Sequence, residues 1–179
     1  MKKLIATLMV CLVLASTFCG LAIAKYSVTP SGSALNGDEI YWLTYMREDE
    51  KLARDVYIYP NGQWDLLIFQ NIAESEQKHM DSIKTLLDKY GLSDPAAGKG
   101  ISVFANPDLQ ILYNELIESG SVSKYAALKV GEFIEYTDIA DLNEGIATTA
   151  HREIKNVYSN LLQGSLNHLA AFQANLAKY

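Results

Sequence analysis

Cysteine is almost absent from this chain of 179 residues, and both examples, Cys11 and Cys19, fall within residues 1–24. Once that segment is removed, no thiol remains, which excludes a disulfide framework and a thiolate metal site. A glycine-rich phosphate loop, a Gly-x-Ser-x-Gly elbow and a His-Glu-x-x-His motif are also missing. With three histidines and no cysteine after residue 24, the side chains needed for a nucleophilic triad are scarce.

Positive charge is scarce as well. Lysine and arginine number 15 against 21 acidic residues, and the formal net charge is −6. Removing Lys2 and Lys3 leaves 13 basic residues against 21 acidic ones, a net charge of −8. This balance argues against nucleic acid as a partner, because binding to phosphates needs lysine and arginine. It is compatible with binding of metal ions, although solubility explains it equally well.

Residues 1–24 have the composition of a signal peptide. Two lysines are followed by a mostly apolar run over residues 4–14, and Ala22-Ile23-Ala24 is a small-x-small cleavage signal. We therefore expect export, to the periplasm or outside the cell, of a chain that starts with a flexible tether at residues 25–37. Membrane anchoring by an uncleaved leader is a less favoured alternative, because polar residues interrupt the apolar run.

Residues 38–179 predict one all-α domain, since apolar side chains recur at helical spacing in four long segments. These segments run from Asp38 to about Tyr59, from about Gln63 to Tyr90, from Ser121 to about Gly145 and from about Thr149 to Ala177. A shorter helix is expected at residues 107–118, because Asn106 can cap it and Pro107 suits its first turn. The first long helix is expected to stop at Pro60-Asn61-Gly62.

The lengths of the connections predict how the helices are arranged. Long helices one and two are separated by a few residues, and so are three and four, which favours two antiparallel hairpins. Residues 91–120 must then cross from one hairpin to the other. A four-helix bundle with one long crossover, here containing a short helix, is the ferritin-like arrangement.

The most informative motif is Glu76-Gln-Lys-His79, because residues three apart share one face of a helix. That face is the apolar one, and a buried polar pair needs partners. Glu50, Glu135 and His168 lie on apolar faces of the three other long helices and can supply them. Carboxylates and imidazoles from four helices predict a two-metal centre, with iron as the first expectation and manganese or zinc as alternatives.

The fourth long helix lacks one ligand that a symmetrical two-metal centre would have. A second Glu-x-x-His motif would need glutamate at position 165, where this chain has Ser165. Two acids on the third helix can replace it, Glu132 and Asp138, each three residues from Glu135. Glu132 is the better substitute by residue type, whereas Asp138 has a shorter arm but apolar neighbours. Each can equally be a structural or surface residue.

Other polar residues have simpler interpretations. Glu48 and Asp49 are expected to be charges on solvated faces, and His151 is expected to be solvated near the start of the last helix. Tyr57 lies two turns from Glu50 on the same face. Its hydroxyl can form a hydrogen bond in the centre, or the ring can simply fill the core with its hydroxyl satisfied.

Four segments together resemble one known family. They are Met46–Tyr57, Asn71–Met80, Glu135–Leu142 and Gly164–Phe172. In their order and spacing, these segments are similar to the ferritin-like family catalogued as domain of unknown function 2202, and the match covers nearly all of residues 38–176. The resemblance implies a ferritin-like fold and metal binding, with no established activity.

A more distant resemblance is to the rubrerythrins. The segments Glu50-x-x-Ala53-Arg54-x-x-Tyr57, Glu76-x-x-His79 and Gly131-Glu132-x-x-Glu135 are similar to their di-iron ligand helices. This resemblance implies a di-iron centre that reacts with peroxide or dioxygen. The chain departs from the rubrerythrins at Ser165 and lacks a cysteine-rich electron-transfer domain, so the redox partner is left open.

Two functions from different classes follow. The first is an exported di-metal protein with oxidase or peroxidase activity, in which Glu50, Glu76 and Glu135 bind or bridge the metals and His79 and His168 are terminal ligands. The alternative is a metal-free helical binding or structural module outside the cytoplasm, with the same residues in a buried polar network. Iron storage in a homo-oligomeric shell is a third and weaker hypothesis.

Overall fold

The computed structural model describes residues 34–179, and all regular elements in this range are α-helices. The helices are α1 Gly37–Trp64, α2 Leu67–Tyr90, α3 Pro107–Gly120, α4 Lys124–Thr148 and α5 Arg152–Leu176. The expected all-α class is therefore confirmed. The predicted signal peptide at residues 1–24, and the predicted tether up to residue 33, lie outside the described residues.

The four long helices form a bundle in which each contacts two of the others. Helix α1 packs against α2 and α4, and α5 packs against α4 and α2. The connections between α1 and α2 and between α4 and α5 are too short for anything but antiparallel hairpins. The crossover between the hairpins contains α3, which packs on α1 and α4. Within residues 34–179, no helix has the length and apolarity needed to cross a membrane.

Helix α1 does not stop at Pro60, so that prediction is wrong. The helix continues through this proline to Trp64 and ends at Asp65, which has a left-handed backbone with φ of 50°. A proline inside a helix removes one backbone donor, but continuation brings the indole of Trp64 onto the end of α3. Its Nε1 donates to the carbonyl oxygen of Gly120 at 3.4 Å.

The start of α1 is joined to the start of α5 through Glu39. Asn36 and Glu39 form a capping box at the first turn of α1. The other carboxylate oxygen of Glu39 accepts from the hydroxyl of Thr149 at 2.7 Å and lies 2.7 Å from Nδ1 of His151. His151 is buried, so the expectation of a solvated histidine is wrong.

Charged residues of α1 hold the crossover in place. Arg47 forms two hydrogen bonds of 3.0 Å with Asp94. Glu48 accepts from the two backbone amides that precede α3, at 2.5 and 2.8 Å. Lys51 is buried, pairs with Asp55, and lies 4.4 Å from the ring centroid of Phe104 in the crossover. Glu48 is therefore an internal residue, contrary to its expected position on a solvated face.

Two apolar clusters occupy the two ends of the bundle interior. One is built from side chains that include Tyr57 of α1, Phe69 and Ile72 of α2, Leu128 and Ile134 of α4 and Phe172 of α5. The other includes Leu43 and Met46 of α1, Ile83 and Leu87 of α2, Leu142 of α4 and Ile154 and Leu161 of α5. On every long helix, the buried candidate metal ligands fall between the residues of these two clusters. The polar centre therefore lies in the middle of the bundle with apolar packing on both sides.

Candidate metal centre

Five of the seven predicted ligands come together in the bundle interior, one or two from each long helix. They are Glu50 of α1, Glu76 and His79 of α2, Glu135 of α4 and His168 of α5. All five are buried, with the three glutamates at most 2% exposed and the two histidines at 8 and 9%. Carboxylates at this depth need compensating partners.

Glu76 lies at the middle of this group and contacts both imidazoles. Its Oε2 is 2.7 Å from Nδ1 of His79, and its Oε1 is 2.8 Å from Nδ1 of His168. Glu50 Oε2 lies 3.1 Å from the same nitrogen of His79, and Glu135 Oε2 lies 3.6 Å from that of His168. The result is two groups of three residues that share Glu76, and in each group the candidate ligand atoms lie within 4.8 Å of one another.

The positions of the two imidazole rings follow from the helices around them. The rings are stacked, with centroids 5.5 Å apart and planes 25° from parallel. Gly164 of α5 makes room for one of them, because a Cβ there would lie only 2.6 Å from Nε2 of His79. On the other ring, Nε2 of His168 lies 3.0 Å from the hydroxyl oxygen of Ser75. Both histidines therefore present Nδ1 to Glu76.

Hydrogen bonds outside the five residues orient them. The hydroxyl of Tyr57 donates to Oε1 of Glu135 at 2.6 Å, one of the two roles that its position in the sequence allowed. The hydroxyl oxygen of Ser75 lies within hydrogen-bonding distance of Nε2 of His168, and contacts of this kind fix the ring orientation of histidines in metal sites. Ser75 was missed at the sequence level, because a serine beside a glutamate on an amphipathic helix has no distinguishing pattern.

The imidazoles and Glu76 form a charged network. Burial by itself lowers the pKa of His79, but its contacts with Glu50 and Glu76 outweigh burial and raise the pKa to about 11. Burial likewise lowers the pKa of His168, whereas Glu135 and Glu76 raise it to about 9. For Glu76, burial raises the pKa and the two histidines lower it to about 2. These shifts favour an ionised Glu76 between two protonated rings.

The two outer glutamates behave differently. Burial raises the pKa of Glu50 well above its usual value, even though His79 opposes the shift. Burial and the charge of Glu76 raise the pKa of Glu135 to about 7, against the effect of His168. Among the described residues, Oε1 of Glu50 has no hydrogen-bond partner. The centre therefore holds several protons that a divalent cation can replace.

The two acids of α4 that were predicted to replace the glutamate missing at position 165 lie in different environments. Glu132 does not join the centre: its side chain is partly exposed and pairs with Lys129 on the outer side of α4. Asp138 is buried and accepts a hydrogen bond from Ser165. Both are three residues from Glu135, but α5 packs on only one side of α4, and that is the side of Asp138.

Asp49 was also placed wrongly by the sequence-level interpretation. It is buried and is close enough to the other acids to be affected by their charge. Burial, together with the charges of Asp138 and Asp141, raises its pKa well above the usual value. The acidic interior is therefore larger than the five clustered residues.

The donor set fits a transition-metal centre. Carboxylate oxygens and imidazole nitrogens suit iron, manganese and zinc. One carboxylate shared by two groups, each with its own histidine and its own second carboxylate, is an arrangement that can hold two metal ions close together. These buried groups could hold a metal ion, and both metal binding and the identity of the ion remain predictions.

Comparisons with known proteins agree with one another. A family model described as an uncharacterized protein domain, DUF2202, matches residues 39–178. The chain is 50% identical over 145 residues to the uncharacterized protein MJ0754 of Methanocaldococcus jannaschii. The aligned region covers 81% of this chain and 78% of that protein. A crystal structure of hypothetical protein MJ0754 from Methanococcus jannaschii DSM 2661 is similar with a TM-score of 0.81 and 48% identity, covering 84% of this chain and 86% of that chain.

Proposed function

Because this chain belongs to the uncharacterized DUF2202 domain family, whose description assigns no activity, we propose its function from the geometry of the site. We propose a ferritin-like protein that binds two metal ions, most readily iron, through Glu50, Glu76, His79, Glu135 and His168. Manganese and zinc are the alternatives. The observation that carries this proposal is the position of Glu76, with one carboxylate oxygen on each of two imidazoles from different helices.

The residues have distinct roles in this proposal. Glu76 would bridge the two metal ions, because it is the one residue common to both groups. Glu50 and His79 would complete the first half of the centre, and Glu135 and His168 the second. The two halves of the centre are nearly symmetrical, because one glutamate and one histidine of each half come from one antiparallel hairpin.

A buried oxygen without a hydrogen-bond partner supports the proposal that a metal ion binds here. Within residues 34–179, Oε1 of Glu50 is buried without any hydrogen-bond partner. An unsatisfied buried polar group costs about 1–3 kcal/mol, and more when it is charged. A metal ion would remove this cost and would also neutralise the mutual repulsion of the glutamates.

The chemistry that such a site supports is oxidation. Two iron ions would supply the redox chemistry with dioxygen or peroxide, as the distant resemblance to rubrerythrins implies. The chain itself would contribute orientation and exclusion of water, because apolar clusters lie on both sides of the centre. Tyr57 would hold Glu135 through its hydroxyl, and Ser75 would hold His168.

We further propose that the protein works outside the cytoplasm. The support for export is the composition of residues 1–24 alone, which predicts a signal peptide. Metal binding outside the cytoplasm is compatible with a chain that has no cysteine after residue 24, because none of the proposed ligands is a thiol that could be oxidised.

The direct test is metal content. The protein is purified without chelator and analysed for iron, manganese and zinc, together with a double variant, Glu76→Ala with His79→Ala. We expect about two metal ions per chain in the wild type and none in the double variant. The matched control is Glu132→Ala, which removes an acid of the same type from the outer side of α4 and should retain the metal. Stoichiometric metal in the double variant would overturn the assignment.

One observation favours the second candidate, a metal-free helical module outside the cytoplasm. The carboxylate of Glu76 contacts both imidazoles, at 2.7 and 2.8 Å, and these contacts lower its pKa and raise theirs without any ion. The two functions differ in linkage, because a ligand that binds only the folded state must raise stability. A melting temperature that is the same with iron, manganese, zinc or chelator would favour the metal-free module.

A further inference from the structure

We propose that Asp138 is the fourth carboxylate of the metal centre, in place of the glutamate that position 165 lacks, and that Ser165 holds it in position. This inference rests on the proposed di-metal function and adds a ligand to its second half. It follows from comparing the two hairpins position by position and from the contact between the two side chains.

The hairpins supply matching residues at two of four positions. The first helix of each hairpin carries a glutamate, Glu50 or Glu135, and the second carries a histidine, His79 or His168. In both hairpins, a carboxylate oxygen of that glutamate faces Nδ1 of that histidine, at 3.1 Å in the first and 3.6 Å in the second. The two halves are therefore equivalent at these positions.

At the other two positions, the acidic and the small residue are exchanged. Three residues after the glutamate, the first hairpin has Ala53 and the second has Asp138. Three residues before the histidine, the first hairpin has Glu76 and the second has Ser165. All four are buried. Each half thus keeps one carboxylate and one small residue, and the second carboxylate has moved from the second helix of the hairpin to the first.

The contact between Ser165 and Asp138 shows that the exchanged positions adjoin. The hydroxyl of Ser165 contacts Oδ2 of Asp138. The same hydroxyl oxygen lies 3.0 Å from the carbonyl oxygen of Leu161. The single proton of this hydroxyl can be donated to either oxygen, so serine can position this carboxylate where alanine could not. A short side chain at 165 also leaves space for the carboxylate that comes from α4.

The second oxygen of Asp138 is available for a ligand. Across the described part of the chain, Oδ1 is buried and has no hydrogen-bond partner. Asp138 lies about one helical turn after Glu135 on α4, and burial and the charges of Glu50, Glu135 and Glu76 raise its pKa well above its usual value. Carboxylates that bind metals are commonly held by a hydrogen bond on their other oxygen, and Ser165 makes that bond.

Titration of the full-length, metal-depleted protein with Mn²⁺ alone tests this inference. Calorimetry gives the affinity of each ion, and electron paramagnetic resonance distinguishes coupled from isolated Mn²⁺. Asp138→Asn keeps the shape of the side chain and an acceptor for Ser165. We expect this variant to bind the second ion on the order of 10- to 100-fold more weakly and to bind the first ion with unchanged affinity. The signal of coupled Mn²⁺ should disappear.

A variant that restores the missing motif separates ligation from packing. Asp138→Ala with Ser165→Glu returns the carboxylate to α5 and should recover the second ion and the coupled signal. The control Ser165→Ala keeps Asp138 but removes its hydrogen bond, and we expect a smaller loss of affinity for the second ion. Circular dichroism of each metal-free variant checks that it is folded.

Two results would overturn the inference while leaving the proposed function intact. One is an Asp138→Asn protein that binds both ions as tightly as the wild type. The other is a folded double variant that binds the second ion no better than Asp138→Asn. Failure of the wild-type protein to bind Mn²⁺, iron or zinc at all would instead contradict the proposed function, and the inference with it.

Discussion

Oε1 of Glu76 on α2 lies 2.8 Å from Nδ1 of His168 on α5, so a residue of the first hairpin belongs to the half of the centre built by the second. The other oxygen of Glu76 contacts His79 of its own helix at 2.7 Å. This one side chain therefore links the two hairpins through charge. Its removal should affect the stability of the bundle as well as metal binding.

Glu76→Gln should destabilise the metal-free protein. The change leaves two protonated imidazoles without their common ionised partner in the interior. Breaking a buried ion pair from one side costs about 3–5 kcal/mol, and we expect a loss of this size in the free energy of unfolding, measured with urea in the presence of chelator. The control Glu132→Gln is on the outer side of α4 and should change the free energy of unfolding by less than about 0.5 kcal/mol. A loss below about 1 kcal/mol for Glu76→Gln would contradict the ion-pair network.

Gly164→Ala should damage only one half of the centre. The added Cβ would lie 2.6 Å from Nε2 of His79, so the ring must shift, and we expect its Nδ1 to move away from Glu50 and Glu76. We expect one ion to bind at least about 10-fold more weakly, because displaced ligand geometry is costly, while the ion at His168 is retained. Calorimetric titration measures both. Gly120→Ala is the control, since its Cβ would meet nothing closer than 3.7 Å; equal loss in both variants would count against the steric argument.

Stability of the metal-free protein should fall as the pH rises. Raised pKa values in the folded state, about 7 for Glu135, about 9 for His168 and about 11 for His79, mean that the folded state holds protons that the unfolded state releases. The stabilisation from the histidines is complete below their unfolded pKa of about 6.5 and is lost as the pH passes through about 9 and then about 11.

The measurement is the melting temperature between pH 5 and pH 11, with chelator and with Mn²⁺. Because a metal ion takes the place of these protons, the stabilisation by Mn²⁺ should grow as the pH rises. Replacing His168 with asparagine should reduce the slope between about pH 7 and pH 9. A melting temperature of the metal-free wild type that rises over this range would show that the network does not hold those protons.

Glu39 should contribute to the stability of the fold but not to metal binding. Burial raises its pKa, but His151, Asn36 and Thr149 lower it to about 2, so its stabilisation is present above the unfolded value of about 4.5 and is lost as the pH falls through about 2. Glu39→Gln should cost about 1–2 kcal/mol, as loss of a helix cap does, and should flatten the acid side of the unfolding curve. Metal content should stay the same; a variant that loses metal would show that the start of α1 and the centre are coupled.

Part of the candidate site was accessible from local spacing. Glu76 and His79 share a helix face because residues three apart lie about one turn apart. Residues Glu50, Glu135 and His168 lie on apolar faces, which a fold must bury. These inferences need only the helical period, and helices α2 and α5 keep that period over most of their length.

Other residues could not be placed in this way, because their partners are distant in the sequence. Glu132 and Asp138 have the same separation from Glu135, so spacing cannot distinguish them, and residue type favoured Glu132, which pairs with Lys129 on the outer side of α4. Glu48 and His151 resembled surface residues because their partners lie in the crossover and at the start of α1.

The amino-acid sequence by itself determined the helical class, the two hairpins and the residues that would have to be buried together. These features depend on local periodicity and on the lengths of connections, which act between near neighbours. Only the tertiary structure decided that Glu76 contacts both histidines, that α5 packs on the Asp138 side of α4, and that α1 continues past Pro60 to bring Trp64 onto α3. The physical reason is that each of these depends on contacts between helices whose relative rotation follows from packing of the whole bundle rather than from the period of any one helix.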